Sequence, residues 1–78
     1  MGIEEDLERE IAKWSGKLEK EMKAVKENER NEGFAKNIRA YMKDSKYFHE
    51  KGDLIRSFEA LIWAWAYLEI CREMKIID

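Results

Sequence analysis

Two side chains in this sequence could start nucleophilic or proton-transfer chemistry, His49 and Cys71, and each is the sole residue of its type. A protein zinc site draws three or four ligands from Cys, His and carboxylates, and Glu-x-x-His and His-Glu-x-x-His spacings do not occur, so no metal site is expected. His49 falls near the end of a helical segment, where a protonated imidazole complements the helix dipole; a capping or flanking role is the simpler reading. Cys71 has no surrounding pattern of cations that argues for a lowered pKa, and it reads as a small buried apolar residue. A glycine-rich phosphate loop, a serine nucleophile motif and a paired-carboxylate site are also missing. The sequence therefore predicts no catalytic residue, no cofactor and no small-molecule substrate; the expectation is a protein that is not an enzyme.

Two patterns suited to binding remain. Lys36, Arg39, Lys43 and Lys46 form a basic row with Tyr47 at its edge, the kind of local footprint that nucleic acid would require. Glu50 interrupts the row and the whole chain carries net charge −2, so a solvated helix face is the simpler explanation and a nucleic-acid-associated role is the alternative. The second pattern is the block ALIWAWAYLEIC, Ala60 to Cys71, whose first nine residues are uncharged in a chain with 41% charged residues.

These residues must be positioned by helices, since there is no threonine, only one valine and no sustained alternation. Ile3, Leu7, Ile11, Trp14, Leu18, Met22 and Val25 recur every three or four positions and predict helix one over about 3–27. Glu4, Glu5 and Asp6 suit the positive end of its dipole, and Glu5 with Arg9 and Glu19 with Lys23 are spaced as i,i+4 pairs. Asn31 offers an N-cap for helix two, about 32–50, whose stripe is Phe34, Ile38, Tyr41, Ser45 and Phe48. Gly52 suits a left-handed C′ position and Asp53 an N-cap, which predicts a tight antiparallel link to helix three at about 54–74. The expected fold is all-α, an antiparallel up-down-up three-helix bundle forming a single domain over residues 1–78.

Helix three is apolar on two faces. Leu54, Phe58, Leu61, Trp65 and Leu68 share one, while Trp63, Tyr67, Ile70 and Met74 lie opposite, at roughly 160–220° from it on a helical wheel. Two neighbours cover only one broad side of a helix, so the second face is expected to meet a protein partner, most simply a second copy in a homodimer or else a partner helix, with a ligand groove as a further alternative. Steep crossing by helix one would instead hide part of it. The charged residues flanking the block leave far fewer than the roughly 20 apolar residues of a membrane span. With no signal-like opening and one unpaired cysteine, a cytoplasmic protein is expected. Abundant Lys and Glu without proline also resembles thermophile composition.

The stretch YMKDSKYFHEKGD, with Tyr41, Asp44, Phe48, Gly52 and Asp53, followed by Trp63-Ala64 and Leu68-Glu69 in an alanine-rich helix, resembles the archaeal family called Domain of Unknown Function 357. Glu69 stands where that family favours Asp, and Ala66 and Cys71 occupy places where it carries glycine. The resemblance implies a three-helix bundle, an archaeal source and no assigned activity. Separately, Gly52-Asp53 with Ser57, Leu61 and Ala64 resembles half of a tetratricopeptide hairpin, a fold element associated with peptide recognition, although no repeat accompanies it.

Overall fold

The apolar stripes wind into three helices in a computed structural model that describes residues 2–78: α1 (Ile3–Lys23), α2 (Glu32–Glu50) and α3 (Leu54–Glu73), with no strand among the described residues. Their directions follow from which residues meet. Ser45 bonds Ser57 while Tyr41, earlier on α2, stacks on Tyr67, later on α3, so these two helices are antiparallel. Trp14 meets Trp65 and Glu21 meets Arg72, the same offset twice, so α1 and α3 run parallel. The result is the expected up-down-up bundle, with α3 in contact with both neighbours and α1 and α2 only weakly in contact with each other.

Close approach of α2 and α3 comes from small residues. Ser57, Ala60, Ala64 and Cys71 line the buried arc of α3, and Ala35 and Ser45 lie buried on α2. Ser45 Oγ–H donates to the Ser57 carbonyl at 2.8 Å and Ser57 Oγ–H donates to the Ser45 carbonyl at 2.7 Å. These reciprocal bonds satisfy both buried hydroxyls and contribute about 1 kcal/mol each. Larger residues fill the remaining core: Ile11, Leu18 and Met22 from α1, Ile38 from α2, Leu61 and Leu68 from α3, and Ile77 from beyond its end.

The α2–α3 link forms as the sequence predicts. Gly52 takes φ +77°, its N–H donating to the His49 carbonyl, while Asp53 N–H reaches the Phe48 carbonyl, the pair of bonds that closes a Schellman turn. Asp53 then caps α3 by accepting from Arg56 N–H at 3.1 Å. The α1–α2 link differs from expectation. Helix α1 stops at Lys23 rather than near Glu27, because asparagine side chains take over the backbone bonding. Asn31 Nδ2–H donates to the Lys26 carbonyl at 3.1 Å, Asn28 N–H donates to Asn31 Oδ1, and Asn28 Oδ1 accepts from both Arg30 and Asn31 N–H. Asn31 holds the N-cap position of α2 yet makes no side-chain cap bond, since that side chain faces back into the link. Val25, now outside the helix, still packs against the core. Helix α3 ends at Glu73, with Met74 as its cap residue.

Candidate docking surface

Helix α3 divides into three sectors. The small residues are buried, with Ser57 bonded to Ser45 of α2. Phe58 and Trp65 turn toward α1, where Trp65 Nε1–H donates to the Trp14 carbonyl at 3.2 Å and the two indoles meet edge to face at 5.7 Å. The third sector faces neither helix: Trp63, Ile70 and Met74 are 54%, 56% and 60% exposed. Steep crossing by α1 does not hide them. Tyr67, the fourth residue expected here, is half-buried, and its cover comes from α2: Tyr41 stacks on it at 5.6 Å and lies against Trp63 at 6.3 Å. On the opposite edge Ile62 is 51% exposed, and with Ala66, Glu69, Trp14, Phe58 and Trp65 it borders a hollow of about 340 Å³.

Of the four residues expected on this face, three are open and Tyr67 is half-buried; Tyr41, Ile62 and Ala66, which border the same sector, are not among those the sequence singles out for it. Tyr41 shares the core-facing stripe of α2, and nothing in that periodicity shows that its ring leans outward onto α3. Ile62 and Ala66 lie just outside the arc defined by the four named positions.

The unpaired charge on α3 itself is one-sided. Arg56 and Arg72 are the basic residues of α3, and both are engaged within the chain, Arg56 with Asp53 at 3.0 Å and Arg72 with Glu21 at 2.9 Å. Glu59, Glu69 and Glu73 are exposed, and none forms an ion pair among the described residues.

The remaining candidates are placed as follows. Lys36, Arg39, Lys43 and Lys46 are all exposed on α2, with Arg39 held by Glu27 at 2.6 Å in the α1–α2 link. Lys46, His49 and Glu19 border a cleft of about 210 Å³ between α1 and α2, whose floor is Leu18, Ser45, Ser57 and Leu61. His49 Nε2 lies 3.4 Å from Glu8 Oε1, tying the end of α2 to α1 rather than facing a nucleophile. Cys71 is buried in the core, and burial pushes its thiol pKa up, the opposite of what a reactive thiolate requires. Among the described residues no group of three His, Cys, Asp or Glu side chains is arranged to hold a metal ion, and no helix is long and apolar enough to cross a membrane.

Fold and surface together define a class: a small all-α three-helix bundle whose third helix carries an uncovered aromatic sector. The chain belongs to the family described as protein of unknown function (DUF357), whose model matches residues 4–77. That match takes in all three helices, well beyond the Tyr41–Glu69 stretch on which the resemblance rests. The crystal structure of protein AF1782 from Archaeoglobus fulgidus, assigned to the same family, is similar to this chain with 47% identity and a TM-score of 0.89, covering 99% of this chain and 97% of that one. No curated protein matches.

Proposed function

We propose that this protein is a non-catalytic interaction module whose docking surface is the uncovered sector of α3. The observation that carries the reading is the exposure of Trp63, Ile70 and Met74 on one stripe, with Tyr41 and Tyr67 stacked beside them as a rigid floor. Trp and Tyr bury large rigid area at little entropic cost, which is why they are enriched among the residues that dominate binding energy at protein interfaces. A bundle of two layers needs one face per helix; α3 has an apolar sector that neither α1 nor α2 uses, and an apolar helix laid along it would complete a four-helix arrangement.

The test has two parts: mass by light scattering across a wide concentration range, and titration with amphipathic helical peptides of either charge sign. Docking predicts that either the protein itself or a peptide occupies the surface, and that Trp63→Ala weakens this about thirtyfold or more while costing only about 1 kcal/mol of stability, the worth of the lost ring contact. A strictly monomeric protein that binds neither kind of helix would refute the module.

A further inference from the structure

We infer that the occupant of this surface is a cationic amphipathic helix rather than a second copy of the same face, an inference that rests on the docking reading above. The apolar sector has acidic edges. Glu69 and Glu73 lie one turn apart along its Ile62 side, where Glu69 borders the hollow, while Glu59 lies within the stripe, between exposed Ile55 and Trp63. Asp44 is one turn beyond Tyr41 on the exposed side of α2. All four carboxylates are exposed and none is ion-paired among the described residues. Both arginines of α3 are already committed, to Asp53 and Glu21.

Self-association through this face would bring like charges together. Glu59 and Glu73 stand the same number of residues to either side of Ala66, at the middle of the sector. An antiparallel two-fold pair crossing at Ala66 sets Glu59 against Glu73 of the second copy, twice; a parallel pair sets each glutamate against itself. Neither arrangement sets the arginines of α3 against these glutamates, and like-charge juxtaposition disfavours such a pair. A helix with leucine-like residues at i, i+3, i+4 and i+7 and Lys or Arg along both margins meets the apolar stripe and the acidic edges at once. The same edges disfavour nucleic acid and anionic lipid on this face.

Two synthetic 14-residue helices test the inference, one of leucine and lysine and one of leucine and glutamate, each titrated against the full chain with tryptophan emission as the signal. The lysine helix is expected to bind, with affinity that falls as salt is raised and that weakens about tenfold in the Glu59→Gln/Glu73→Gln double variant, as two lost rim ion pairs would give. Trp63→Ala is expected to weaken it about thirtyfold or more, as loss of an anchor does. Binding of the glutamate helix equally well, or lysine-helix binding unmoved by the double variant, would overturn the cationic partner while leaving the docking surface in place. So would self-association of the wild-type chain that Trp63→Ala abolishes. Binding of neither helix by a monomeric chain would overturn both readings.

Discussion

Lys75 holds the left-handed conformation, φ 57°, in the turn that ends α3, with its N–H donating to the Arg72 carbonyl and Ile76 N–H to the Cys71 carbonyl. The same pair of bonds closes α2 around Gly52. A side chain in that region costs about 1–2 kcal/mol, so Lys75→Gly should raise stability by about 1 kcal/mol, read as a higher urea midpoint with an unchanged slope. Gly52 announces its turn in the sequence because glycine is the residue that adopts this conformation freely; a lysine announces nothing. For the same reason the return of Ile77 into the core, which that turn permits, is illegible beyond the last periodic residue. Cys71 reads correctly as a buried thiol. Burial keeps its proton on in the folded chain to a higher pH than in the unfolded one. That contribution to stability is intact below the ordinary pKa of 9.0 and is lost as pH rises beyond it toward the raised folded value. Native Cys71 should therefore resist alkylation, and the wild type should lose stability above pH 9 more steeply than Cys71→Ala.

At the scale of the helices, hydrophobic spacing places all three and misjudges one end. The stripe through Val25 continues the α1 pattern because Val25 does face the core, but periodicity is blind to the asparagine bonds that unwind the chain after Lys23. Asn31 is buried and fully engaged with the link. Asn31→Ala should cost about 1–3 kcal/mol, since it leaves the Asn28 N–H and the Lys26 carbonyl without their partner, and amides at the start of α2 should exchange faster. Within α3 the reading of opposite large-residue faces captures the exposed stripe but misplaces the centre of the buried arc. Small residues carry weak hydrophobic signal, yet Ser57, Ala60 and Ala64 are buried, and Ser57 bonds directly to Ser45 of α2. Replacing Ser57 with Leu should cost about 1–3 kcal/mol from overpacking, with the lost Ser45 bonds in addition, measured by urea unfolding.

For the molecule as a whole, α1 and α2 leave α3 partly uncovered, and that asymmetry is what the composition of α3 encodes. Its excess of apolar circumference is legible in the sequence because two neighbours cannot cover it; the acidic edging is not, since only the structure shows that Arg56 and Arg72 are already paired while Glu59, Glu69 and Glu73 are not. The most direct measurement is a map, by nuclear magnetic resonance, of the residues whose signals shift when the leucine–lysine helix is added. The shifts are predicted to concentrate at the Trp63 indole, Tyr67, Ile70 and the Met74 methyl, with Tyr41 following through its stacked ring. Shifts confined to the cleft between α1 and α2, or none at all in a chain that remains monomeric, would contradict α3 as the docking surface.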